Sequence, residues 1–146
     1  MPDQEALKRA QEDAREGKSP STQAGEFVRE EIHHIREGKN GARSPQQAIA
    51  IGLSEARRAG VKLSPPKGPA AVRKKAAQDA AAGRKARGHK TSAKRSRASE
   101  AALKRESRSV ASHQALSRQA KKSADKRGKQ SRRQAAMKAA RTRKAA

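Results

Sequence analysis

Histidine and glutamate side chains recur at helical spacing in one short stretch of the chain. Glu30 and His33, and likewise Glu31 and His34, each form a Glu-x-x-His pair. On a helix such a pair presents a carboxylate and an imidazole from one face, and in four-helix bundles this arrangement ligates metal ions. That type of site also takes carboxylates from other helices, and no other segment here carries Glu-x-x-His. The pattern therefore favours a polar helix face, and we assign neither a metal nor a cofactor.

Signatures of catalysis are missing from the sequence. It contains no P-loop, no dinucleotide-binding glycine pattern, no nucleophile elbow and no zincin motif. It contains no cysteine, and Phe27 is its one aromatic residue, so apolar material to line a pocket is scarce. We predict that the protein is not an enzyme and takes no small-molecule substrate.

Basic side chains are the strongest chemical signal. The 146 residues carry a net charge of +23; residues 1–63 contribute +1 and residues 64–146 contribute +22. Basic groups neutralise phosphates and release counterions, a mechanism that does not depend on base sequence. The alternative is a solvated tail that only aids solubility. The predicted nucleic-acid-binding residues are Arg73, Lys74, Lys75, Arg84, Lys85, Arg87, Lys94, Arg95, Arg97, Lys104, Arg105, Lys121, Lys122, Lys126, Arg127, Arg132, Arg133, Arg141, Arg143 and Lys144.

The kind of partner follows from what the basic segment lacks. It has no aromatic residue on which unpaired bases could stack, so duplex DNA is favoured over RNA as the partner. It also lacks the apolar face that enters a membrane interface, so no membrane insertion is expected. The first residues lack a basic leader and an apolar core, which predicts a cytoplasmic, nucleoid-associated protein.

Helix signals fill the first half of the chain. Segments of about 3–16, 19–38 and 44–60 show apolar spacings of three and four, serine–proline starts and glycine ends. The second and third segments should form a helical hairpin. Its predicted core is small, so a homodimer or a protein partner bound through the hairpin is expected. The predicted core residues are Phe27, Val28, Ile32, Ile35, Ile49, Leu53 and Ile51, with Glu31 at the edge of the face.

The second half is low in complexity and rich in Ala, Lys, Arg and Ser. Like charges one turn apart weaken its short helical stretches, so we expect disorder, or isolated helices, until phosphates neutralise the repulsion. The predicted fold class is mostly α, a small helical hairpin of two to three helices followed by a long basic tail. The predicted organisation is an N-terminal helix (1–18), the hairpin (19–63), a proline-rich linker (64–69) and the tail (70–146).

One block of the sequence resembles a known family. Residues 42–60 follow the pattern A-R-S-x-x-Q-A-I-A-I-G-L-S-x-A-R-R-A-G, which is similar to small basic bacterial proteins grouped as a domain of unknown function. The resemblance implies a bacterial source and no established activity. The tail also resembles linker-histone C-termini in composition. Within the block, Arg57 and Arg58 either complement the helix dipole or contact phosphate, and the pattern leaves both open.

The function most consistent with these patterns is non-sequence-specific nucleic-acid binding by a histone-like architectural protein. Two alternatives use the same features. In one, the protein is an RNA- or ribosome-associated factor. In the other, the hairpin is a protein-interaction module and the tail is an electrostatic tether.

Overall fold

Residues 3–84 and 92–145 are described by the computed structural model of the protein, and most of them are helical. The chain divides into two compact units, unit 1 (residues 1–111) and unit 2 (residues 112–146). None of the described helices is both long and apolar enough to cross a membrane. The helices are α1 (Gln4–Arg15), α2 (Pro20–Glu37), α3 (Pro45–Arg58), α4 (Ala70–Arg84), α5 (Ala93–Lys104), a 3-10 turn (Arg108–Ala111), α6 (His113–Lys126) and α7 (Gly128–Ala145).

The ends of the first helices lie where local signals predict them. The Ser44 hydroxyl caps α3 by accepting from the Gln47 backbone N–H at 3.2 Å. Gly38 and Gly60 end α2 and α3 with φ of +77° and +93°, the left-handed region that glycine enters without strain. The Val61 N–H donates to the Ala56 carbonyl at 3.0 Å, the hydrogen bond of a Schellman cap. These boundaries are confirmed.

Helices α2 and α3 approach each other more closely than large side chains would allow. A Cβ placed on Gly52 would lie 2.6 Å from the Val28 Cα, so only glycine fits there. The residues one turn away on either side, Ala48 and Ala56, are fully buried. This seam of small residues at a spacing of four lets the two backbones exclude water without bulky side chains.

Alanine supplies most of the buried core of unit 1. Of the predicted core, Phe27 and Ile35 are fully buried, whereas Ile49 and Ile51 are only half-buried. Two clusters surround the large residues: Phe27 packs with alanines of α1, α2 and α3, and Ile35 packs with alanines near the α2–α3 turn. Helix α1 therefore belongs to the core, held by Ala6 and Ala10.

Glu31 lies inside this core, whereas the sequence predicted it at the edge of the apolar face. It sits on the buried stripe of α2 between Phe27 and Ile35, and only 1% of its surface is exposed. Its Oε2 accepts a hydrogen bond from the Asn40 side chain at 2.9 Å, whereas its Oε1 is buried without a partner. Burial and, to a lesser extent, the nearby Glu55 carboxylate raise the pKa of Glu31 to about 7, although the hydrogen bond from Asn40 lowers it.

Helix α4 packs on α3, although it belongs to the predicted tail. Its buried residues are Ala76 and Asp79. Asp79 accepts hydrogen bonds from the Ser54 hydroxyl at 2.7 Å and from the Lys75 ammonium at 2.8 Å. Burial alone would raise the pKa of Asp79, but these two hydrogen bonds and the nearby Arg58 hold it below its ordinary value. A Cβ on Gly83 would lie 2.4 Å from the Arg57 carbonyl oxygen, so the two helices touch at their carboxyl ends.

Residues 103–111 close the other end of the α2–α3 hairpin. Ala111 is fully buried against Ile35, and its carbonyl accepts from the Arg36 guanidinium at 2.9 Å. Gly41 in the hairpin turn lies so close to the Leu103 carbonyl that no Cβ fits between them.

The fold-class prediction of a hairpin followed by a disordered tail is therefore wrong. The part of the tail within unit 1 completes the hairpin's core. The part within unit 2 is helical.

Replacing Gly52 with alanine should destabilise the protein by about 1–3 kcal/mol, because the added methyl forces α2 and α3 apart. The matched control is Gly25→Ala in α2, where a Cβ meets nothing within 4 Å. That variant should gain about 0.5–1 kcal/mol from helix propensity alone. Urea unfolding followed by circular dichroism measures both, and equal effects of the two variants would contradict the close approach.

Glu31→Gln should stabilise the protein above pH 7 and have little effect below pH 4.5. The unfolded chain ionises near the ordinary pKa of 4.5, but the folded chain keeps the proton until about pH 7, so folding stability falls between these values as pH rises. Glutamine removes that loss, which is about 3 kcal/mol for a shift of this size.

The measurement is the free energy of unfolding of Glu31→Gln and the parent protein from pH 4 to pH 8. Glu12→Gln, at an exposed site on α1, removes the same charge and should leave the pH profile nearly unchanged. Destabilisation by Glu31→Gln at pH 8 would show that the buried carboxylate is stabilised by its surroundings.

Candidate nucleic-acid interface

Unit 2 consists of two consecutive helices joined at Gly128. The Ser112 hydroxyl caps α6 by accepting from the Ala115 N–H at 3.2 Å. Helix α6 ends at Arg127, and Gly128, with φ of +75°, opens α7. Both helices are rich in Ala, Gln, Lys and Arg, residues of high helix propensity, which counters the repulsion between like charges one turn apart.

The basic residues of α7 concentrate on one face. At about 100° per residue, five of its cations fall within about 120° of arc. At 1.5 Å per residue, this stripe is about 22 Å long. Lys138 and Arg141 lie outside it. The α7 stripe consists of Lys129, Arg132, Arg133, Arg143 and Lys144.

Helix α6 has a comparable basic face. Four cations fall within about 140° of arc, and the half-buried Leu116 and Ala124 lie on the opposite side. This is an amphipathic arrangement in which the charged side is left to solvent. The α6 face consists of Arg118, Lys121, Lys122 and Lys126.

Carboxylates are nearly absent from unit 2. It holds 12 Lys+Arg and 1 Asp+Glu, a net charge of +11. Every lysine and arginine between residues 112 and 144 is exposed. The one ion pair that the structure shows among these residues joins Arg132 to Asp125 at 3.2 Å. Such a surface has a strongly positive potential that attracts polyanions.

The predicted binding residues fall into three groups. Lys121, Lys122, Lys126, Arg127, Arg132, Arg133, Arg141, Arg143 and Lys144 lie in unit 2. Arg73, Lys74, Lys75, Arg84, Lys94, Arg95, Arg97, Lys104 and Arg105 lie in unit 1, on or beside α4 and α5. Lys85 and Arg87 lie outside the described residues. Two residues of the second group form ion pairs within their own helices, Lys75 with Asp79 and Lys104 with Glu100, both at 2.8 Å.

The sequence prediction omitted three cations of unit 2, namely Arg118, Lys129 and Lys138. The prediction selected clustered basic residues, and these three stand singly. Helical periodicity is the signal that would have found two of them, since Arg118 belongs to the α6 face and Lys129 to the α7 stripe.

Arg57 and Arg58 each hydrogen-bond a carbonyl one turn back in α3, and Arg58 also lies 4.0 Å from the Asp79 carboxylate of α4. Arg57 donates to the Leu53 carbonyl at 3.4 Å, and Arg58 donates to the Ser54 carbonyl at 3.3 Å. Both arginines lie in the last turn of α3, where cations complement the helix dipole.

Comparison with known proteins matches part of the chain to a family model. No curated protein and no solved structure matches the chain. The matching family model covers α2 and α3 and stops before α4, so the basic helices of unit 2 lie beyond it. Over residues 15–68 the chain is similar to a family of unknown function, DUF6496.

Proposed function

We propose that the protein binds nucleic acid without base specificity, as a histone-like architectural protein that neutralises the phosphates of duplex DNA. The observation that carries the proposal is the pair of exposed basic faces on α6 and α7, with one carboxylate in the whole of unit 2. Cations that have no carboxylate nearby are free to replace the counterions of DNA. The proposal implies a cytoplasmic, nucleoid-associated protein.

The dimensions and composition of unit 2 suit a duplex backbone. An α-helix is about 10–12 Å across and the major groove of DNA is about 12 Å wide, so α7 can follow a groove with its stripe against phosphates. Unit 2 has no aromatic side chain to stack on unpaired bases. Its Ser, Thr and Gln side chains add neutral contacts to phosphate oxygens.

Removing two cations of the α7 stripe should weaken DNA binding and its salt dependence. In Lys129→Gln/Arg133→Gln, the slope of log affinity against log salt should become shallower by about 1.8, since each phosphate contact contributes about 0.9. Fluorescence anisotropy with a labelled duplex, from low to physiological salt, gives the slope for the full-length protein.

The control is Lys138→Gln/Arg141→Gln, which removes the same charge from the same helix outside the α7 stripe. Its slope should change clearly less. Equal losses in both variants would show that only total charge matters and would contradict an interface on the stripe.

The RNA-associated alternative uses the same cations, because RNA and DNA carry the same phosphate charge. It is tested by competing a structured RNA hairpin against a DNA duplex of equal length for the full-length protein. We expect the duplex DNA to displace the RNA, because a stripe of cations on a straight helix suits the accessible major groove of B-DNA better than the deep, narrow one of RNA. Tighter binding of the RNA would move the proposal to an RNA- or ribosome-associated factor.

The protein-interaction alternative has one specific observation in its favour. An open, mainly apolar groove runs between α3 and α4, lined in part by Ile51, Pro66 and Val72. Val72 is 49% exposed, which is unusual for a residue of its size in this chain. A partner seated there would leave the basic faces of unit 2 as a tether. Loss of DNA binding in Lys129→Gln/Arg133→Gln would fit both the architectural role and the tether role. The groove is therefore tested separately, by comparing the oligomeric state of Val72→Ser with that of the parent protein.

A further inference from the structure

Two helices bring a histidine and two carboxylates together at the amino end of unit 1. Asp3 is the N-cap of α1, and Glu30 and His34 lie one turn apart on α2. One potential ligand atom from each of the three residues lies within 4.8 Å of the others. The His34 Nε2 is 3.4 Å from the Glu30 Oε1 and 3.9 Å from the Asp3 Oδ2. The spacing on α2 was visible in the sequence, but the contribution of Asp3 from a second helix was not.

Each carboxylate is held by one oxygen and presents the other. The Asp3 Oδ1 accepts from the Glu5 N–H at 2.8 Å, and the Glu30 Oε2 accepts from the Arg9 guanidinium at 2.5 Å. The second oxygen of each faces the His34 imidazole. Ligands oriented by an outer hydrogen bond are characteristic of protein metal sites. All three side chains are also mostly shielded, with between 16% and 33% of each exposed.

The surroundings of the three donors carry far less positive charge than the rest of the protein. Ten of the fourteen Asp and Glu residues lie in the first 63 residues. Arg9 is shared among Glu5, Glu26 and Glu30, and Arg29 also pairs with Glu26, so two guanidinium groups partly offset three carboxylates here. Lys39 extends toward this region, but its ammonium is paired with Glu37 at 2.7 Å. The three donors therefore lie in the part of the chain where acidic and basic residues nearly balance, with a net charge of +1 over residues 1–63.

We propose that Asp3, Glu30 and His34 bind a divalent transition-metal ion, with Zn²⁺ the best match to one imidazole and two carboxylates. Magnesium and calcium prefer oxygen ligands alone, whereas zinc accepts nitrogen and oxygen in a tetrahedral site. Zinc bonds of about 2.0–2.2 Å put neighbouring ligand atoms about 3.4 Å apart. The spacing from His34 to Glu30 already has this value, and the Asp3 oxygen needs only a small movement. A water molecule would complete the coordination.

A site of this kind extends the proposed function without depending on it. The metal would tie the start of α1 to the C-terminal part of α2. Its effect would fall on the stability of unit 1, whereas nucleic-acid binding is assigned to unit 2. The two proposals can therefore fail separately.

The test is calorimetric titration of ZnCl₂ into full-length protein that carries no histidine tag and has been freed of metal. We expect one saturable site per chain and a higher Tm when zinc is bound, because a ligand that binds only the folded state stabilises it. Asp3→Asn, Glu30→Gln and His34→Gln should each weaken zinc binding by about tenfold or more. Asparagine caps helices as well as aspartate does, so Asp3→Asn removes a ligand charge and keeps the fold of α1.

The matched control is His113→Gln, at an exposed histidine of α6. It removes one imidazole and should leave both the affinity and the zinc-dependent Tm unchanged. The absence of a saturable site would overturn the proposal and leave His34 as a partner of two carboxylates. Equal weakening by His113→Gln and His34→Gln would overturn it as well, because the zinc would then bind exposed histidines in general.

Discussion

The fold of unit 1 depends on how closely helix backbones can approach. A chain with a single aromatic residue cannot exclude water with large side chains, so the helices themselves must fill the space. The Gly52 position meets this requirement where α3 crosses Val28, and buried alanines extend the contact to both sides. The same device recurs at Gly83, where α4 meets the end of α3, and at Gly41, where the hairpin turn meets α5. A side chain at any of these points would separate the elements that it joins.

Charge is handled differently in the two units. In unit 1, cations meet carboxylates where helices touch: Arg9 joins α1 to α2 through Glu26 and Glu30, and Arg43 joins the hairpin turn to Glu106 after α5. These ion pairs neutralise part of the positive charge and hold neighbouring elements together. Unit 2 has one acidic residue, Asp125, so most of its lysines and arginines remain available to a partner. The sequence difference behind this contrast is the scarcity of Asp and Glu and not an excess of Lys and Arg alone.

Local features of the fold could be predicted from the sequence, and distant contacts could not. Serine–proline starts and glycine ends act within one turn, which is why the limits of α2 and α3 were predictable from residues such as Ser44 and Gly60. The burial of Glu31 was not, because its spacing fits the buried stripe of α2 but its charge argues for an edge position. The docking of α4 was hidden for a similar reason. Ala76, Asp79 and Gly83 have helical spacing, but a stripe with no large apolar residue does not resemble a buried face.

The residues of the candidate interface could also be predicted only in part. Pairs of basic residues are easy to see in a sequence and led to residues such as Lys121 and Arg133. A helix face is defined by angle, however, and single residues such as Lys129 complete the α7 stripe as effectively as the pairs do. Two of the zinc ligands proposed for unit 1, Glu30 and His34, are related by helical spacing that the sequence shows. The third, Asp3, is brought to them by the packing of α1 on α2, which the sequence does not show.

Net charge alone would not have separated the two units. Unit 1 carries 25 Lys+Arg and 13 Asp+Glu, a net charge of +12, which is close to the +11 of unit 2. Within unit 1, residues 1–63 carry only +1, so residues 64–111 hold +11 in 48 residues, against +11 in the 35 residues of unit 2. The potential near a surface depends on the density of charge within a Debye length, about 8 Å at physiological salt, and not on the total. Phosphates should therefore meet the strongest field at unit 2, a weaker one at residues 64–111 and little attraction at residues 1–63, although units 1 and 2 carry almost the same net charge.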